Sequence, residues 1–225
     1  MNYPMFFVIK SVFASGTSMT QIPQKYALQD SLFNDVDALG LYVDNHDNPR
    51  FLSINSDWRL FKSSLAFALT ARGVPILYYG SEQGFSGGAD PSNREAMWGH
   101  FDRNHEIFKF TQTINLARAA TKSFILPMVD RYVDDNLYVY NRGPMIVGLT
   151  NKVLPLQTVV VKNIGLPEGR QVCNIFLPTD CTQVWLGSIQ FPLKDGEVKI
   201  FLPKDNSFFV SKKRSFSEHL KLASQ

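Results

Sequence analysis

The stretch "LYVDNHDNPRF", Leu41–Phe51, carries three apolar residues straight into Asp44, Asn45, His46, Asp47 and Asn48 before Pro49 and Arg50 close it. An apolar run that ends abruptly on acid, imidazole and amide groups suits a buried strand whose carboxyl end opens onto a polar surface. In parallel α/β folds that end of the strand is where functional side chains collect. His46 brings ring N–H groups for hydrogen bonding, Asp47 brings a fixed negative charge, and Asn45 and Asn48 can orient either. Asn, Asp and Pro are also turn formers, so the stretch alone reads equally well as a polar turn.

The flanking text supplies a frame. "LGLYV" (39–43) is a strand candidate. A helix is expected over 57–71, with Leu60, Phe61, Leu65 and Leu69 at helical spacing, Ser56 as its cap and Gly73 just past its end. "VPILYYG" (74–80) reads as a second buried strand, and the Gly- and Asp-rich "SEQGFSGGADPSNREAMW" as the loop after it. A further helix is expected over 104–120, with Ile107, Phe110, Ile114 and Ala117 on one face. Strand, loop and helix repeated in this order is the pattern of a parallel α/β sheet or barrel. At the start of the chain, Phe6, Ile9 and Phe13 form one stripe with Met5, Val8 and Val12 beside it. That is a helix within folded protein rather than a leader peptide: Lys10 interrupts the apolar run, and no basic segment precedes it.

From about Phe124 the text changes. "NLYVYNRG", "MIVGLTN", "TVVVKNIG", "QVCNIF", "TQVWLG" and "EVKIFLP" are short β-type runs between turn signals, which suggests an antiparallel sandwich. The expected division is 1–122, 123–210 and a tail at 211–225. Cys173 and Cys181 flank a Pro-containing turn between two such runs. They are either a cross-strand bridge, worth ~2.5 kcal/mol on the chain-entropy estimate for so short a loop, or two free thiols.

With 225 residues, 44% of them hydrophobic, and a net charge of +3, the chain has ample material for a core. Its charge is too mild and dispersed to indicate nucleic acid. No run approaches the roughly 20 apolar residues of a membrane span. Across the polar turn, the loop after the second strand brings Glu82, Asp90, Arg94 and Glu95. Neighbouring barrel strands set their loops side by side, so Asp90 and Arg94 are expected to face the Asn45–Asn48 turn across a cleft rim. Arg and Asp together suit the hydroxyls of a sugar, although a mutual salt bridge would explain the pair as well. Trp98, Tyr78 and Tyr79 could offer a flat face to a sugar ring, but each taken singly reads as core.

"LYVDNHDNPRF", "VPILYYGSEQ" and "GGADPSNREAMW", in this order, resemble the C-terminal half of an α-amylase of glycoside hydrolase family 13, the fungal and protist secreted type most of all. "NYP" at 2–4, "CNIF…DC" and "GEVKIFLP" extend the resemblance to about Pro203. It implies α/β plus all-β architecture: the last part of a (β/α)8 TIM barrel, about strands six to eight, followed by an antiparallel β-sandwich. It implies Asp47 as the carboxylate that stabilises the transition state, His46, Asp90 and Arg94 as substrate-binding residues, and retaining endo-hydrolysis of α-1,4-glucan. It also implies secretion and a monomeric full-length form. The family's nucleophile, its general acid and its calcium ligands lie upstream of "NYP". The expectation is therefore a partial chain, inactive alone, with no metal ligands of its own. A non-catalytic protein that binds carbohydrate or a partner, and a transglycosylase or glucosidase of the same family, stand as alternatives.

Overall fold

The computed structural model describes residues 1–210, so the expected tail at 211–225 lies outside the described residues. The chain opens with α1 (Tyr3–Ile9), which continues through a π-helical turn over Lys10–Ala14. Asn2 caps it, accepting from the Met5 N–H at 3.0 Å, and Pro4 occupies the first turn, where a missing N–H costs nothing. The expected stripe is the buried one: Met5, Phe6, Ile9, Val12 and Phe13 are all fully covered. A second helix, α2 (Gln21–Leu32), follows.

The two strand candidates contribute one short parallel pair, β1 (Gly40–Leu41) with β2 (Val74–Pro75). Tyr42 and Val43 are buried beyond the end of β1, but the chain there leaves the hydrogen-bond ladder. Tyr42 packs against Phe6, with ring centroids 5.1 Å apart, and against Tyr3 at 5.7 Å. On β2 the outcome is opposite. Val74, Ile76, Leu77 and Tyr79 are exposed, because β1 is the only strand beside them in the described chain. Between the strands run α3 (Phe51–Ile54) and α4 (Trp58–Thr70); α4 is capped by Asp57 rather than Ser56, its carboxylate accepting from the Arg59 N–H at 2.9 Å. After the long loop comes α5 (Glu106–Thr121), capped by His105.

The second half is a β-sandwich. Strands β3 (Met128–Val133), β4 (Leu137–Arg142), β5 (Met145–Thr150), β7 (Gln171–Asn174), β8 (Cys181–Gln183) and β10 (Lys199–Pro203) form a six-stranded sheet in the order β3-β4-β5-β10-β7-β8. Strands β6 (Gln157–Val161) and β9 (Ile189–Leu193) form the second sheet. All these pairs are antiparallel. Cys173 and Cys181 sit opposite each other on β7 and β8 and are bridged.

Side chains alternate across the six-stranded sheet, as the two-residue repeat of a strand requires. Leu137, Val139, Ile146, Val172 and Phe201 point towards the second sheet and meet Val159, Val161, Ile189 and Phe191. Tyr138, Tyr140, Val147, Leu149, Ile200 and Leu202 point the other way and join one core with α1, α4 and α5. Both faces of this sheet are therefore covered, and every residue of β4, β5 and β10 is buried. Polar ties cross the same junction. Thr70 and Tyr140 share a hydroxyl bond of 2.6 Å, the Asn151 amide donates to the Thr17 carbonyl at 2.6 Å, and buried Arg142 donates to the carbonyls of Ala71 and Leu126.

Candidate active site

The Asn45–Asn48 turn is built by one side chain. Asn45 Oδ1 accepts from the backbone N–H groups of Asp47 (3.1 Å) and Asn48 (3.0 Å), and from the Asn48 amide at 3.1 Å. This is the Asx geometry, in which a short amide side chain folds the backbone behind it into a turn. His46 and Asp47 occupy its apex, and both are exposed. Asn45 and Asn48 thus orient the backbone that carries the two residues, not their side chains.

Beneath the apex lies a buried layer. Asp44 accepts from the Phe51 N–H at 2.7 Å, at the start of α3, and from the Ser81 hydroxyl at 2.8 Å. Burial pushes its carboxyl above the ordinary value, against the opposing pull of those two bonds and of the Lys10 and Arg50 charges. Arg50 is wholly buried. It donates to Glu95 Oε2 at 2.6 Å and to the Tyr79 carbonyl at 2.9 Å, and its guanidinium lies 4.4 Å from the Tyr78 ring centroid. Glu95 also accepts from the Gly87 N–H. Asn93, fully buried, donates to the carbonyls of His46 and Asn48, both at 2.9 Å. Lys10 reaches the Pro49 carbonyl from the π turn, and burial lowers its pKa.

The two loops therefore meet. Arg94 Nε lies 3.3 Å from the His46 carbonyl and 3.0 Å from Asp90 Oδ1. Asp47 itself has two neighbours: His46 Nε2 stands 3.2 Å from Oδ1, and the Tyr3 hydroxyl donates to Oδ2 at 2.7 Å. Side-chain exposure is 62% for His46, 50% for Asp47, 53% for Asp90 and 47% for Arg94, so all four stand open to a ligand. Sequence reasoning brought these four together and missed Tyr3, Asn93 and Arg50 as their supports. Tyr3 lay in the quoted "NYP", but nothing in that tripeptide names its partner 44 residues on. Trp98, at 89% exposure, is not core, and neither Tyr78 nor Tyr79 is buried. Among the described residues, no group of three or more His, Cys, Asp or Glu side chains could hold a metal ion.

Comparison with known families adds that residues 1–123 match the family described as "Alpha amylase, catalytic domain". This chain belongs to the α-amylase family. The α-amylase relatives include a beta/alpha-amylase of Paenibacillus polymyxa, 35% identical over 214 residues that cover 89% of this chain and 18% of that protein. Alpha-amylase 1 of Schwanniomyces occidentalis is 29% identical over 217 residues, covering 90% and 42%. Among solved structures, an α-amylase from Malbranchea cinnamomea superposes with a TM-score of 0.86 at 29% identity, covering 91% of this chain and 46% of that one. The chain spans less than half the length of these relatives. No helix among the described residues is long and apolar enough to cross a membrane.

Proposed function

We propose that this chain forms one wall of an α-1,4-glucan-cleaving site, with Asp47 as the carboxylate that stabilises the transition state and His46, Asp90 and Arg94 as substrate-binding groups. The observation that carries the reading is the open Asp47–His46 apex, joined through the His46 carbonyl to Arg94 and thence to Asp90. Glycosidic cleavage passes through an oxocarbenium-like state with positive charge at the anomeric carbon. A fixed carboxylate beside that carbon interacts with the charge more strongly than with the neutral sugar, and only such a difference accelerates the reaction. His46, Asp90 and Arg94 supply donors and acceptors for hydroxyls on the same rim.

Retaining cleavage needs a nucleophilic carboxylate and an acid/base carboxyl about 5–5.5 Å apart. Three of the neighbouring acids on these loops are engaged elsewhere: Asp44 is buried under the turn, Glu95 is held by Arg50, and Asp90 by Arg94. The reading therefore gives the covalent steps to carboxylates of a longer protein, and this chain alone does not hydrolyse starch. The same reading takes 1–122 as the barrel portion, about strands six to eight, and 123–210 as the sandwich. It makes the longer protein secreted and monomeric. Calcium, which the family resemblance implies, finds no ligand cluster among the described residues.

The test has two parts. The purified chain is incubated with soluble starch and assayed for new reducing ends; none are expected, and turnover at ordinary enzyme rates would refute the division of labour. The labelled chain is then titrated with maltotriose, and the resonances that move should belong to His46, Asp47, Asp90 and Arg94. Shifts confined to another face would refute the site.

A further inference from the structure

Asp47 is half exposed, and a solvent-facing aspartate ordinarily samples several rotamers. Ordering it on ligand binding would cost side-chain entropy each time. Here both carboxylate oxygens already have neighbours, the Tyr3 hydroxyl at Oδ2 and His46 Nε2 at Oδ1. His46 is itself open to solvent, whereas the mounting of Tyr3 is rigid. Its ring stands edge-on to fully buried Tyr42, at 84° between planes, and Tyr42 stacks on fully buried Phe6. The first turn of α1 is in turn bonded to β1, since the Asn2 N–H donates to the Gly40 carbonyl at 2.8 Å and the Asn2 side chain is paired with Gln29. Tyr3 thus rests on the same strand that leads to Asp47, and its geometry relative to the carboxylate is fixed by buried groups.

We propose that Tyr3 is a positioning residue for Asp47: its hydroxyl holds Oδ2 so that the carboxylate keeps one rotamer and turns its Oδ1 edge, beside His46, to the substrate. The proposal rests on the reading of Asp47 given above. Its physical content is preorganisation, in which a charged group aimed before the ligand arrives loses nothing to reorientation at the moment of reaction. The ring packing of Tyr3 needs only a phenyl group, so the hydroxyl is the atom at issue. The bond to Asp47 is the main cause that holds the Tyr3 phenol above the ordinary tyrosine range, with desolvation and the Asp47 charge adding to it.

Tyr3→Phe separates the hydroxyl from the ring. In the 15N/13C-labelled chain, three-bond couplings from Asp47 Cγ to its own nitrogen and carbonyl carbon report its χ1 angle. The wild type should show values of a single staggered rotamer. Y3F should show averaged values, while the amide shifts of 5–9 in α1 stay in place. Unchanged single-rotamer couplings in Y3F, or averaging already in the wild type, would overturn the proposal. Asp47→Asn gives the reciprocal reading: the Tyr3 phenol should titrate closer to an ordinary tyrosine, and no movement would contradict the bond. Neither readout involves glucan. A locked Asp47 that ignores maltotriose would thus defeat the functional reading while leaving the role of Tyr3 intact.

Discussion

Two layers of charge lie within a few residues of each other at the end of β1, and they behave in opposite ways. In the lower layer, Asp44, Arg50 and Asn93 are buried, and each holds backbone or side-chain partners on another segment. In the upper layer, His46, Asp47, Asp90 and Arg94 are about half open, with few bonds each. Aspartate and arginine serve in both. What separates them is the Asx turn at Asn45, which folds the backbone so that Asp44 and Arg50 face inward while His46 and Asp47 face out. A burial cost is accepted in the lower layer because buried polar groups with partners fix loop positions. The upper layer leaves its capacity for a ligand.

The comparison predicts that lower-layer substitutions damage the fold and upper-layer ones damage recognition. Arg50→Ala should be the most destructive. It strands Glu95 and removes the bond to the Tyr79 carbonyl, with an expected loss of about 3 kcal/mol in urea unfolding, in the manner of a broken buried pair. A loss below about 1 kcal/mol would place Arg50 with ordinary surface residues. Asn93→Ala takes the Asn93 donor from the Asn48 carbonyl and leaves the His46 carbonyl with Arg94 alone, and should cost about 2 kcal/mol by the same measurement. No change there would mean that the turn is self-supporting through Asn45.

Asp44 sharpens the comparison through pH. Its carboxyl is raised in the folded chain, chiefly by burial. The folded state therefore holds that proton more tightly than the unfolded state. The resulting stability is fully present below the ordinary value of 3.8 and is lost as pH rises through the raised value. Asp44→Asn should remove that slope from an acid-range series of unfolding midpoints. An identical slope in the variant would assign it elsewhere. Smallest of all should be the stability effect of His46→Ala, within about 0.5 kcal/mol of wild type because the side chain is exposed. A large loss would move His46 into the lower layer.

How much of this was legible in the sequence depends on how far each feature reaches. Helices α4 and α5 could be read because their apolar residues recur within single turns. Helix α2 could not: Pro23 sits in its first turn, and only Ile22, Tyr26 and Gln29 are buried along its polar length. The apolar runs at 39–43 and 74–80 each hold a strand of two residues, and the second run is largely exposed rather than buried. Their ladder is short because a strand extends only as far as a neighbour pairs with it, and β1 and β2 share two residue pairs. Strands β3 and β9 were not among the clearest runs, since "MVDRYV" and "IQFPL" carry charge or proline. At the site, the density of polar types in 44–48 was visible, and so was the pairing of that turn with the Asp90–Arg94 loop. The division into two layers was not, because Ser81, Glu95, the Tyr79 carbonyl and Tyr3, which hold Asp44, Arg50 and Asp47 in place, lie 29 to 45 residues from them. The exposure of Trp98 was likewise invisible, since an indole in a loop has no periodic context to assign it.

The most direct test of the central claim compares two ligands on two proteins by calorimetry. Acarbose, a glucan mimic with a basic bridging nitrogen, carries positive charge near the position where the reaction would develop it; maltotriose does not. An anionic Asp47 aimed into the cleft should give the wild-type chain a preference for acarbose. Asp47→Asn should abolish that preference, leaving maltotriose affinity within about threefold of wild type, as expected when only the charge-dependent interaction is lost. An undiminished preference for acarbose in the Asn variant would contradict the role assigned to Asp47.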